Sequence, residues 1–245
     1  MQHSNFHTIK FISILTIIVS FILSLASTSL GPIQKHNIEI DKKKNILQSI
    51  GLDISNFNEM NIMDEYKSRI RNIVLDLKGN MVSDIKHVDL KLIENNQTGQ
   101  VSYFHDQNEY LLAYMSLNPS AFIIPISGKG LWSTLYGYFA LKDDYNTVNG
   151  ITFYEHGETA GLGGEVEKKW FQDNFIGKKI YTVDGELISI VVVKGKASDV
   201  LSDDFINHGV DGISGATITS NGLTSFLLRD LKRYKLFFDK NRINE

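Results

Sequence analysis

The sequence predicts one α+β domain set behind a single apolar N-terminal helix. Three observations carry this expectation. Phe11 to Leu30 form a run of twenty residues without a charge or a proline, the hydrophobic spacing changes from a helical period to one near two beyond Met81, and the chain closes on a helix-patterned stretch. With 245 residues, 42% of them hydrophobic and 22% charged, the chain can bury a substantial core and has the composition of a folded protein. A formal charge of −3, with no basic stripe interleaved with aromatics, disfavours nucleic acid as a partner. There is no cysteine, so disulfides, thiolate-bound iron–sulfur clusters and a lipid-modified N-terminal cysteine are excluded. Redox chemistry would have to come from an organic cofactor or a metal held by His and carboxylates.

Taken in order, residues 1–10 read as a short tail and 11–30 as a transmembrane anchor. At about 1.5 Å per residue, twenty residues span a hydrocarbon core of about 30 Å. A cleaved signal peptide is the rival reading, because Ser24-Leu25-Ala26 offers small residues at suitable spacing. The long apolar stretch and a basic region reduced to Lys10 favour a retained anchor. Lys35, Lys42, Lys43 and Lys44 follow the anchor and would, by the positive-inside rule, keep the following domain in the cytoplasm. Residues 31–60 are expected to be a polar linker with a short helix over 45–52 closed by Gly51. The domain proper is expected over 61–245.

Within it, the spacing of Ile62, Tyr66, Ile70, Ile73, Val74 and Leu77 predicts a helix from Asn61 to Leu77, with Gly79-Asn80 as its C-cap. Strands are predicted near 82–93, 110–115, 121–126, 134–141, 148–154 and 187–193, the last as a fully buried one. Glu165 to Phe175 reads as a short helix. The final helix is expected from about Thr219 to Asp239, its apolar face made by Leu223, Phe226, Leu227, Leu231 and Tyr234.

The chemistry concentrates in Asp211-Gly212-Ile213-Ser214-Gly215-Ala216-Thr217, which runs straight into that helix. Two glycines allow a sharp turn and a close approach of backbone to a ligand. The hydroxyls of Ser214, Thr217, Thr219 and Ser220 crowd a helix start, where free N–H groups and the macrodipole favour a phosphate. The residues alone leave two readings open: a phosphate site, or hydroxyls that merely cap the helix.

The frame Asp-x-x-Ser-Gly-Ala-Thr resembles the flavinylation motif of FMN-binding domains in respiratory flavoproteins. In that family the final threonine is esterified to the FMN phosphate by a flavin transferase that uses FAD as donor. The resemblance implies covalent FMN on Thr217, with Asp211, Ser214, Gly215 and Ala216 as the matching binding positions. Pro125-Ile126-Ser127-Gly128-Lys129-Gly130-Leu131-Trp132 and Glu155-His156-Gly157-Glu158-Thr159-Ala160-Gly161-Leu162-Gly163 are similar to segments of the NqrC family, within the sodium-translocating NADH:quinone reductases. That likeness implies flavin contacts from Leu131, Trp132, Glu158, Thr159, Leu162 and Gly163. Trp132 could equally be a core residue, and Glu158 and Thr159 could equally fix their own loop. Ala160 departs from the family, which commonly has proline there.

The implied role is an electron relay in a multi-subunit complex of the bacterial cytoplasmic membrane. No catalytic residue and no metal is expected, since His105 and His156 lack metal-site spacing. No dinucleotide fingerprint is present, so NADH would be oxidised elsewhere in the complex. The family's topology implies a flavin domain on the extracytoplasmic side, against the lysine count. The flavinylated component of the related ion-pumping ferredoxin:NAD complex is one alternative, which the Ser-Gly-Lys-Gly-Leu-Trp and Glu-His-Gly-Glu-Thr segments disfavour. A cofactor-free, membrane-anchored binding module is another.

Overall fold

A computed structural model of the chain describes residues 5–242; residues 1–4 of the expected tail and 243–245 at the expected domain end lie outside the described residues. Helix α1 runs from Asn5 to Ser49 and contains the apolar stretch, which is long and apolar enough to cross a membrane. The stretch 31–44, expected as a linker, is helical too. Pro32 does not stop the helix: it removes one N–H, and the residues after it, mostly Ile, Gln, Lys and Glu, are tolerant of helix. Residues 5–42 form one compact unit and those from Lys43 onward a second. The short helix expected over 45–52 is the C-terminal end of α1, where Ile46, Leu47 and Ser49 are buried and Gly51 follows in the left-handed conformation.

Helix α2 (Glu59–Arg69) opens with a reciprocal cap, Asn61 N–H to Asn58 Oδ1 at 2.9 Å and Asn58 N–H to Asn61 Oδ1 at 3.2 Å. It ends eight residues short of the expected Leu77. Ile70 is already extended, and strand β1 (Ile70–Leu75) continues the chain. The sequence Ile-Arg-Asn-Ile-Val-Leu fits both periods, and its β-branched residues pack better on a pleated surface. Gly79-Asn80 is therefore no helix cap. It forms the turn to β2 (Met81–Val82), where Asp76 Oδ1 accepts from the N–H groups of Lys78 and Asn80.

The strand expected over 82–93 is interrupted by polar residues and a 3₁₀ turn at His87–Asp89, leaving Val82 in β2 and the separate strand β3 (Lys91–Glu94). Strand β4 (Val101–His105) lies where no strand is predicted. The four central strands match expectation: β5 (Asn108–Leu117), β6 (Ser120–Lys129), β7 (Thr134–Lys142) and β8 (Val148–Glu155). They belong to an eight-stranded antiparallel sheet in the order β2-β1-β5-β6-β7-β8, extended through β4 and β3 beside β5.

The expected helix over 165–175 is a 3₁₀ turn at Gly163–Glu167 followed by α3 (Lys169–Asp173). The run 187–193 forms a strand only at β9 (Val191–Val192), with an isolated antiparallel bridge from Leu187 to Tyr181. After the short α4 (Ala197–Val200), β10 (Gly209–Val210) lies parallel to β9. Most of the run is buried as expected, but it is not a continuous strand. Ser189 has a φ of 69°, which breaks the extended path, and Val192 N–H donates to Thr224 Oγ1 of the last helix rather than to a strand. Leu187, Ile190 and Val192 join the core, so hydrophobicity reports burial here with a ladder of only two residues at β9.

Helix α5 (Thr217–Asn241) lies against β6. Its expected apolar face is buried, joined by Phe237 and Phe238, and Phe237 stacks on Phe122 with ring centroids 4.7 Å apart. One charge lies on this buried side. Asp230 accepts from Ser127 N–H at 2.9 Å and pairs with Arg229 at 2.7 Å, which fixes the helix to β6 immediately before the β6–β7 turn. Burial pushes the Asp230 carboxyl up, only partly offset by the arginine charges and the Ser127 bond.

Candidate functional site

The start of α5 lies beside a cleft of about 480 Å³ lined by Val193, Lys194, Gly195, Gly212, Ser214, Gly215, Thr217 and Ser220 among others. Thr217 is the first residue of the helix, two residues ahead of the expected start, and is exposed. The capping position falls to Ala216, whose side chain can accept nothing, and no acidic residue sits in the first turn. The first N–H groups of α5 therefore lack a side-chain cap, and the positive end of the helix faces the cleft uncompensated. The hydroxyls do not cap it either. Thr219 Oγ1 turns inward to Glu158 at 2.6 Å, and Ser220 Oγ, on a residue only 5% exposed, has no hydrogen-bond partner among the described residues. These hydroxyls do not act as caps, and the helix start is open to an anion.

The rest of the motif shapes the turn before the helix. A Cβ on Gly212 would lie 2.0 Å from the Val193 carbonyl oxygen, so the close approach that this glycine permits is to the chain's own backbone. Gly212 N–H bonds Gly195 O at 2.8 Å, and Asp211 Oδ1 accepts from Ala197 N–H at 2.8 Å. Asp211 thus fastens the 193–197 turn, which carries Lys194 and Gly195, to the motif. Gly215 supplies a φ of 73° just before the helix.

Glu158 joins the site's walls. Its Oε1 accepts from the N–H groups of Trp132 (2.9 Å) and Ser133 (3.1 Å), and its Oε2 from Leu131 N–H (3.2 Å) and Thr219 Oγ1 (2.6 Å). Both oxygens are satisfied, so the carboxylate fixes its own surroundings. Gly163 leaves room for this junction: a Cβ there would lie 2.6 Å from both Glu158 Oε2 and Thr219 Oγ1. Burial pushes the Glu158 carboxyl up, but the Thr219 and backbone bonds outweigh it and hold it below the ordinary 4.5. Held this way, the β6–β7 turn leaves Leu131 half exposed and Trp132 71% exposed, so Trp132 is not a core residue. Leu162 is also exposed and adjoins Gly215, whose Cβ would meet its Cδ2 at 2.8 Å.

Thr159 is exposed, and its carbonyl accepts from the N–H groups of Leu162 (3.1 Å) and Gly164 (3.0 Å). The first bond closes a turn in which Gly161, at φ 76°, takes the third place and Ala160 the second. This is the geometry of a type II turn, whose second position favours proline, and it explains why a family proline fits there. Ala160→Pro is expected to raise unfolding stability by about 0.4–1 kcal/mol through the unfolded chain, measurable by denaturant titration.

Sequence reasoning passes over Val193, Lys194 and Gly195, which reach the cleft through the parallel β9–β10 pair. Only the Lys-Gly-Lys run at 194–196 hints at them. Lys194 adds a cation to the lining, which suits an anionic ligand.

Comparison with known proteins agrees with this geometry. The family described as FMN-binding domain matches residues 130–231, which include the β6–β7 turn, the 155–163 loop and the start of α5. Relatives that are the NqrC component of the Na(+)-translocating NADH-quinone reductase are 35% identical in Haemophilus ducreyi (88% of this chain, 85% of the relative) and 32% identical in Pseudomonas aeruginosa (92% and 91%). The crystal structure of the same component from Parabacteroides distasonis has a TM-score of 0.65 at 30% identity, covering 85% of this chain and 96% of the other. NqrC from Shewanella oneidensis has a TM-score of 0.63 at 25% identity, over 81% and 94%. The likeness runs through the fold and through most of the chain's length, and the chain belongs to the NqrC family of the sodium-translocating NADH-quinone reductases.

Proposed function

We propose that the chain is an electron-relay flavoprotein of a sodium-translocating NADH-quinone reductase, with FMN linked covalently through its phosphate to Thr217. The observation that carries this reading is the uncapped start of α5, with Thr217 exposed at the cleft beside the unpartnered Ser220 hydroxyl. An FMN phosphate would be held by the N–H groups at this helix start, by Ser220 and by the charge of Lys194. Ser214, Gly215 and Ala216 would form the approach to it, the exposed Leu131, Trp132 and Leu162 would meet the apolar ring, and Thr159 and Gly163 would hold the loop beside it. Asp211 and Glu158 act one step back by fixing the walls. FMN supplies the electron-transfer chemistry when bound. The chain contributes binding, orientation and a fixed distance to neighbouring subunits, and no acid or base of its own is called for.

Attachment requires a flavin transferase with FAD as donor. Thr217 Oγ forms a bond to the FMN phosphorus, the pyrophosphate bond of FAD breaks, AMP leaves, and the hydroxyl proton is lost. The protein thus gains FMN less one water. Intact-mass measurement of the full chain, purified from a host that has the transferase, is expected to show that increment. A colourless protein of unmodified mass would overturn the reading and favour the cofactor-free module.

The protein is anchored in the bacterial cytoplasmic membrane by the apolar part of α1 and works with the other subunits of its complex. In this reading the flavin domain lies outside the cytoplasm, with partner subunits overriding the lysines that follow the span. A C-terminal reporter active in only one compartment tests this directly.

A further inference from the structure

The turn that presents Leu131 and Trp132 is held by a second carboxylate, on the side of the edge strand β3. Glu94 Oε1 accepts from Thr134 Oγ1 at 2.8 Å and its Oε2 from the Tyr136 phenol at 2.6 Å, while Lys129 Nζ donates to Thr134 Oγ1 at 2.8 Å. Lys129, Thr134 and Tyr136 flank the turn on both of its strands. The Tyr136 bond first, then Thr134 and the Lys129 charge, hold the Glu94 carboxyl below its ordinary range against the upward push of partial burial. The Tyr136 phenol is pushed up to about 12 by burial and by this carboxylate. Its ring stacks on Tyr154, and Tyr154 on Tyr138, with centroids 6.2 and 5.3 Å apart. The loop beyond β3 docks on the same base. Lys129 N–H bonds Thr98 O at 3.2 Å, and a Cβ on Gly99 would meet Thr134 Cγ2 at 2.8 Å.

We propose that Glu94 is a positioning residue of the site: from outside the cleft it sets the pose in which the β6–β7 turn offers Leu131 and Trp132. This rests on the flavin reading of the cleft only for what the pose is used for. Glu158 fixes the tip of the turn through three backbone N–H groups, and Glu94 fixes its base through side chains. Without Glu94 the base keeps its backbone pairing (Lys129 with Thr134, and Gly130 N–H to Ser133 O at 2.9 Å) but loses its side-chain brace, and the tip, still bonded to Glu158, pivots about that pairing. A site loosened at its supporting residues keeps its ligand and loses a single ligand geometry.

The test uses the full chain in detergent, with Glu94→Ala, Glu94→Gln and Tyr136→Phe. In a Thr217→Ala, Trp170→Phe background, Trp132 is the sole tryptophan and its fluorescence anisotropy reports the turn. Anisotropy is expected to fall by roughly a third in Glu94→Ala and by about half that in Tyr136→Phe, with Glu94→Gln closer to the parent. On the parent sequence loaded with flavin, the visible circular dichroism of the bound flavin is expected to drop about twofold in Glu94→Ala at unchanged flavin content. A role confined to global stability would lower the melting temperature and leave both signals unmoved at 20 °C, and that result overturns the proposal. If the parent carries no flavin, the proposed function fails, and the anisotropy alone still decides the role of Glu94.

Discussion

Thr217→Ala is expected to abolish flavin retention after acid denaturation and to remove the FMN increment from the intact mass. Thr217 is exposed at the first position of α5, and its hydroxyl makes no hydrogen bond among the described residues. Alanine is a good helix former, so the change in unfolding stability should stay within about 0.5 kcal/mol. The effect should thus be confined to the linkage. The uncapped helix start, Ser220 and Lys194 persist in the variant, so flavin can still bind reversibly and is lost on dilution or on unfolding. Thr217→Ser keeps a hydroxyl in the same place and should restore part of the linkage. Flavin that survives denaturation on Thr217→Ala would move the attachment to another residue, with Ser214 and Ser220 the nearest hydroxyls in the cleft.

Glu158→Ala is expected to give the largest loss of stability among substitutions at the site. Four donors lose one acceptor: the N–H groups of Leu131, Trp132 and Ser133 and the Thr219 hydroxyl, on a residue only 1% exposed. The turn amides can find water, whereas Thr219 cannot. A cost of about 3 kcal/mol follows, or roughly 6–12 °C in melting temperature for a domain of this size. Flavin content should fall with it, because the turn and the helix start part. The same carboxylate gives the pH dependence its sign. Its folded pKa lies below the ordinary 4.5, so its stabilisation is complete above that value and is lost as pH falls through the folded one. Glu158→Gln, which presents an amide donor to other donors, should be destabilised at neutral pH and should lose this share of the acid sensitivity. Melting curves of equal midpoint for wild type and Glu158→Ala would remove Glu158 from the frame.

What is legible in the sequence follows from the range of the interactions involved. The four central strands and the apolar face of α5 are local patterns repeated over eight residues or more, and such patterns suffice to mark them. Ile70–Leu75 escapes this logic because its residues satisfy both periods, and only pairing with β5 decides between them. The run 187–193 escapes it at Ser189, whose backbone turns where no glycine marks it. At the site, the motif ending in Thr217 is legible because it is contiguous. That Glu158 binds a hydroxyl 61 residues away, that Glu94 reaches the β6–β7 turn, or that Lys194 lines the cleft depends on tertiary contacts that no local pattern encodes.

The shared acceptor at Glu158 has a consequence for the speed of electron transfer. A redox centre that gains or loses a unit charge is slowed by whatever polar groups must swing to meet the new charge. The amides of Leu131, Trp132 and Ser133 and the Thr219 hydroxyl, all bound to one carboxylate, are not free to swing. In the proposed flavin site, these four groups would add little to the reorganisation energy of electron transfer.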